Sequence, residues 1–76
     1  MLHKKSSLAR KVKGRVRFYE IECTNNLFEE WLIIRRYGSR KQCMRTIMEV
    51  FETSHKAAKR FETLCKYKYA KGYRPI

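Results

Sequence analysis

Arg17-Phe18-Tyr19-Glu20-Ile21-Glu22-Cys23 is the stretch that decides the fold. Tyr19, Ile21 and Cys23 fall on one side of an extended chain, and Glu20 and Glu22 fall on the other. That period of two marks a strand with one buried face. Thr24-Asn25-Asn26 supplies turn chemistry, because asparagine tolerates left-handed backbone and bonds its own main chain. A second strand is predicted from Glu30 to Tyr37, rich in aromatic and β-branched residues. Trp31, Leu32, Ile33 and Ile34 make both its faces apolar at first, so periodicity leaves open which side is core. Gly38 to Gln42 reads as a polar loop. A third strand over 43–52 sets Met44, Thr46, Met48 and Val50 against Arg45, Ile47, Glu49 and Phe51. Met44, Met48 and Trp31 are expected in the core.

Beyond residue 52 the period becomes helical. Ser54 is the expected cap, and Ala57, Phe61, Leu64 and Cys65 form one apolar stripe. Basic residues late in this segment suit the negative end of the helix dipole, and Gly72 ends it. Strand, strand, strand, helix is an α+β order. It predicts a small antiparallel sheet of about three to four strands packed on one C-terminal helix. Residues 1–14 contain no acid, and Leu2, Leu8, Ala9 and Val12 interrupt a polar run. They read as a disordered basic N-terminal arm, either an arm for phosphates or a dispensable solvated terminus, which leaves 15–76 as the single domain that a 76-residue chain has room for.

The charge is one-sided: 19 lysines and arginines against 7 acids give a formal net charge of +12. So much like charge repels itself, and a polyanionic partner is the simplest reason to retain it, since each neutralised phosphate releases counterions. Nucleic acid is the expected partner, DNA ahead of RNA. The alternative is an adaptor for an acidic protein. No apolar run approaches a membrane span, so no membrane partner is expected. Cys23, Cys43 and Cys65 are too widely spaced and odd in number for a disulfide framework, which points to reduced thiols and a cytoplasmic protein. His3 and His55 are not at ligand spacing from a cysteine, so no metal and no cofactor are expected. The glutamates make no acid/base pair, and no glycine loop cradles phosphate. No nucleophile has a recognisable context either. The expectation is therefore a protein that is not an enzyme and has no small-molecule substrate.

The best candidate surface is Arg35, Arg36, Tyr37, Arg40, Lys41 and Arg45, an aromatic flanked by cations at one end of a hairpin. Single strands and nucleic-acid ends favour that combination. Lys56, Lys59 and Arg60, continued by Lys66 and Lys68, form a secondary basic face on the helix. Tyr67, Tyr69 and Tyr73 either line a groove with the lysines or pack against the sheet rim.

Ile34-Arg35-Arg36-Tyr37-Gly38-Ser39 resembles the defining segment of the WGR domain, whose Trp-Gly-Arg triplet follows a strand containing arginine. Arg17-Phe18-Tyr19 resembles that family's aromatic first strand, and Leu27-Phe28 and Trp31 precede the triplet at a similar spacing. Phe51 lies thirteen positions after Gly38, where the family has the aromatic that ends its third strand. Lys71-Gly72-Tyr73-Arg74-Pro75 is similar to the C-terminal segment of single-domain bacterial members. The resemblance covers about residues 16–75. It implies a domain that sits beside DNA ends in poly(ADP-ribose) polymerases and also occurs as a short stand-alone chain. Tyr37 stands where the family has tryptophan and keeps a flat face for stacking, worth about 1–3 kcal/mol per base. Ser39 stands where the family has arginine and removes a charged, forked donor. Lys41 and Met44-Arg45 replace the family's glycine and Gly-Gln.

Overall fold

Pairing between neighbours builds one antiparallel sheet from β1 (Lys4–Val12), β2 (Arg15–Asn25), β3 (Trp31–Gly38), β4 (Arg45–Phe51) and β5 (Arg74–Pro75). The helix α1 (Ser54–Ala70) lies between β4 and β5 in the chain. The structure, a computed structural model, describes residues 3–26, 28–39 and 44–76. Across the sheet the order is β4-β3-β2-β1-β5. The architecture is the expected α+β one, with five strands rather than three or four.

The additional strand is chiefly β1, and it corrects the expectation of an unstructured arm. Lys4 to Val12 pair with Cys23 to Arg15 residue by residue. Lys13 and Gly14 both adopt positive φ, 51° and 81°, the requirement of a tight two-residue hairpin whose twist matches its strands. Few apolar residues are needed here because β2 supplies the hydrogen-bond template and one side chain does the anchoring. Leu8 is fully buried opposite Tyr19. The two-residue β5 pairs with Leu8 and Ala9 on the far side of β1.

Register decides the faces. Leu8, Tyr19, Tyr37 and Arg45 lie in one row across four strands. Since Leu8, Tyr19, Ile21, Cys23 and Ile33 are buried together with Ala57, Leu64 and Tyr73, this is the side that α1 covers. The ambiguity in the second strand is thereby resolved: Trp31, Ile33, Arg35 and Tyr37 face the helix, and Leu32, Ile34 and Arg36 face away. Trp31 and Phe51 are paired and pack against the core, partly buried. Phe61 and Cys65 join them from the helical stripe. The same parity puts Met48 and Val50 on the open side, where they are 57% and 56% exposed. The expectation of Met48 as core is thus wrong, because Ile47, Glu49 and Phe51 take the inward positions. Met44 precedes β4 and is half-buried.

The ends of α1 are closed by specific bonds. The cap is Thr53, one residue earlier than expected: its hydroxyl accepts from the Lys56 amide at 3.2 Å. At the C-terminus the Tyr73 amide donates to the Lys68 carbonyl and the Gly72 amide to the Tyr69 carbonyl. Gly72 there takes φ 101°. This paired closure turns the chain so that Tyr73 inserts into the core. Between β2 and β3, the Asn26 side-chain oxygen accepts from the amides of Phe28 and Glu30, each at 3.0 Å.

If β1 is part of the folded unit, Leu8→Ala removes a buried side chain and is expected to cost about 2–5 kcal/mol in a urea titration. A midpoint equal to that of the parent chain would show that the segment is the disordered arm the composition implies.

Candidate functional site

All seven acids are glutamates, at positions 20, 22, 29, 30, 49, 52 and 62, which leaves segments 1–19, 31–48 and 63–76 free of negative side chains. The register brings parts of these segments to one end of the sheet. Arg10 pairs with Arg17, Phe18 with Gly38 and Tyr37 with Arg45. The C-terminal turn of α1 covers the same end, where the Lys68 ammonium stands 4.2 Å from the centre of the Tyr19 ring. The β1–β2 turn, the end of β3 at Gly38, the start of β4 at Arg45 and the end of α1 therefore converge. At the other end, the β2–β3 turn carries Glu29 and Glu30, and Glu52 lies between β4 and α1.

Tyrosines organise the cationic end. Tyr19 is 3% exposed. Its ring stacks on Tyr37 at 6.1 Å and meets Tyr73 edge-on at 6.0 Å. Lys68 also lies 5.2 Å from the Tyr73 ring centre, Arg10 approaches Tyr73 at 6.0 Å, and Lys71 approaches Tyr67 at 4.6 Å. Ring faces thus take the place that carboxylates would otherwise hold beside these cations, a weaker attraction that leaves their charge uncancelled. Burial lowers the proton affinity of Lys68, and its neighbour Lys71 lowers it further. A hydrogen bond to Lys71 lowers that of the Tyr67 hydroxyl. Burial raises that of Tyr19, although Arg35 beside it acts in the opposite sense.

A recess of about 270 Å³ opens beside the triplet, lined by Val12, Lys13, Arg15, Arg17 and Ser39. Three cations share it with the serine. The positive charge that Ser39 lacks is present in the same recess, supplied from the β1–β2 hairpin.

The expected cluster is only partly brought together. Arg35, Tyr37 and Arg45 occupy the helix-covered side of the sheet. Arg36 lies on the opposite side, where its guanidinium is 3.4 Å from the Glu22 carboxylate. Arg40 and Lys41 lie outside the described residues, as does Cys43. Of the secondary face, Lys56 and Lys59 are exposed. Arg60 instead turns to the sheet and shares Glu49 with Arg35, at 3.3 and 3.1 Å. The sequence offered Arg10 and Lys13 only as part of a basic arm and left Arg15 and Arg17 out of any candidate surface. The signal was available in Lys13-Gly14, a two-residue turn placed between segments whose alternate residues are Leu8, Arg10 and Val12, then Arg15, Arg17 and Tyr19.

Burial raises the thiol pKa of Cys23 and Cys65, so neither presents a thiolate, the reactive form of cysteine, near neutrality. Among the described residues no three His, Cys, Asp or Glu side chains converge as metal ligands, and no helix is long and apolar enough to cross a membrane. A family model described as WGR domain matches residues 5–76. That match begins within β1, eleven residues before the segment in which the resemblance was legible. No characterised protein and no solved structure matches the chain.

The Glu22 carboxyl is held below its ordinary value of 4.5, chiefly by a hydrogen bond with His3 at 2.6 Å, with burial opposing and Arg36 assisting. Because the folded value is the lower one, the stabilisation is complete above that ordinary value and is lost as pH falls through the depressed one. Glu22→Gln is therefore expected to flatten the acid limb of a melting-temperature profile below about pH 5. An unchanged acid limb would contradict a role for Glu22 in fastening the start of β1.

Proposed function

The chain belongs to the WGR-domain family, and from that membership and its charge map we infer that it is a non-enzymatic module that binds nucleic acid. DNA is the first candidate, held mainly through phosphates at the end of the sheet where the three acid-free segments meet. One observation carries this reading: Arg10, Lys13, Arg15, Arg17, Arg45 and Lys71 gather from separate parts of the chain into one region, with no acid in the sequence segments that form it. A phosphate entering there meets cations whose neighbours are rings and other cations. Tyr37, at the edge of this region, offers a face for a base or sugar at an end or in a single strand. Contacts of this kind position a strand without reading its sequence.

Ser39 in place of the family's arginine does not argue against binding, since Lys13, Arg15 and Arg17 line the same recess. Arg36, on the open side by strand alternation and paired there with Glu22, is the one described member of the expected cluster that contributes least. A second reading, an adaptor for an acidic protein, is favoured by exposed Met48 and Val50 beside Leu32 and Ile34 on the open side. An apolar patch of this kind is a usual mark of protein contact.

Salt separates the two readings. If roughly five phosphates are neutralised, log affinity for a short blunt duplex is expected to fall with log salt at a slope of about −4.5. Charge reversal at Arg15 and Arg17 should weaken binding more than tenfold and reduce the slope by about 0.9 per lost contact. Tyr37→Ala should cost about 1–3 kcal/mol on single strands, and less on the interior of a duplex. Anisotropy titrations with duplex, single-stranded DNA and RNA measure all of these. A slope near zero, with binding insensitive to Arg15→Glu and Arg17→Glu, would instead support the adaptor.

A further inference from the structure

Between the sheet and the later turns of α1 lies a cavity of about 190 Å³ lined by Tyr19, Arg35, Tyr37, Ile47, Leu64, Tyr67 and Lys68. A second recess of about 250 Å³ shares Arg35, Leu64 and Tyr67 with it and adds Arg60 and Thr63. The two adjoin as one groove, distinct from the recess at Ser39.

Two features of this groove are unsatisfied. The Tyr19 hydroxyl and the Arg35 Nε are both buried, and neither has a well-aligned hydrogen-bond partner; Tyr19 as a whole is 3% exposed. The Arg35 side chain lies close enough to the hydroxyl to act on its proton affinity, but it only donates and so leaves the hydroxyl proton without an acceptor. Buried polar atoms are normally paired, so each exception needs an explanation. Both of these groups can donate, and the Arg35 Nε can only donate. What the groove lacks is an acceptor.

Charge gives the second argument. Arg35 and Arg60 share a single carboxylate, Glu49, and no glutamate lies within ion-pair reach of Lys68. Three cations and one anion leave the groove with two uncancelled positive charges. Apart from Thr63, whose hydroxyl donates to the Lys59 carbonyl, the remaining lining is apolar or flat: Ile47, Leu64 and the rings of Tyr37 and Tyr67. Each recess alone is smaller than the ~300–1,000 Å³ of ordinary ligand pockets, and the two together reach only the low end of that range, so an occupant is compact.

We propose that this groove binds a small, free phosphate monoester carrying a ring, of the nucleoside monophosphate class. The dianionic phosphate matches the two surplus charges and accepts from the Tyr19 hydroxyl and the Arg35 Nε. The ring lies against tyrosine. This is a class of ligand for which the sequence carries no motif. The inference does not rest on nucleic-acid binding: the groove shares Tyr37 with that surface but uses none of Lys13, Arg15 or Arg17.

The test is an amide-resolved NMR titration of the full chain with adenosine 5′-monophosphate, adenosine and inorganic phosphate in separate arms. The monophosphate is expected to saturate, with shifts centred on Arg35, Tyr37, Leu64, Tyr67 and Lys68. Adenosine and phosphate should each bind at least about tenfold more weakly. Tyr19→Phe removes the orphan hydroxyl while keeping the ring. It is expected to leave the melting temperature unchanged or raise it, and to weaken the monophosphate about tenfold, as one lost hydrogen bond to a charged group does. Lys68→Gln should weaken it similarly. The double reversal of Arg15 and Arg17 should spare the monophosphate even where it abolishes duplex binding, which separates this inference from the preceding one. The proposal is overturned if adenosine or phosphate alone binds as well, if Tyr19→Phe and Lys68→Gln both bind as the parent does, or if the shifts centre on Lys13, Arg17 and Ser39.

Discussion

The register that sets Leu8 opposite Tyr19, and Tyr19 opposite Tyr37, is the constraint on which the rest of the molecule depends. A slip of one residue would send Tyr19, Ile21 and Cys23 to the open side and bring Glu20 and Glu22 under the helix. The burial of Leu8 and Ile21 against Ala57, Leu64 and Tyr73 excludes that alternative. Once this row is set, the β1–β2 turn, Gly38 and the C-terminus of α1 must share one end of the sheet. The electrostatic character of that end is therefore a consequence of core packing.

Gathering so much positive charge works against folding, because the cations repel one another at close range. Tyrosine rings offset some of that repulsion. Lys68 stands among Tyr19, Tyr67 and Tyr73, and each such contact contributes about 0.5–2 kcal/mol depending on its exposure. Carboxylates would stabilise the region more strongly, but they would also cancel the field. Glu49 and Glu22 do act that way: the first holds Arg35 and Arg60, and the second holds Arg36 and His3. Both are placed away from the convergent end. The division between paired arginines in the body and ring-flanked cations at the end is what an anion-binding surface requires.

Much of this organisation was legible in the sequence. The alternation in 17–23 gave the central strand and its buried side, and the stripe of Ala57, Phe61, Leu64 and Cys65 gave the helix with its contact face. Family membership was readable from the Tyr37-Gly38-Ser39 segment and its flanks, and the match over residues 5–76 bears it out. What stayed hidden depended on long-range pairing. Composition alone made 1–14 look unable to fold, because the template that orders it is β2, a contact partner invisible to local pattern. Met48 looked like core because its strand is apolar on both faces, and only pairing with β3 selects the inward one. Arg35 and Arg36 looked equivalent as neighbours, yet a strand sends adjacent residues to opposite sides. Glu22 then claims one and Glu49 the other. The groove over Tyr19 needed the helix in place before it existed at all.

The most direct test of the central claim is to map where a short blunt duplex touches the folded chain, by amide chemical-shift changes at low ionic strength. The account predicts changes confined to the hairpin around 10–17, to 37–39 and to 66–74, with the turn at 26–30 and the start of α1 silent. Changes spread evenly over the surface, or centred on Glu29, Glu30 and Glu52, would contradict it.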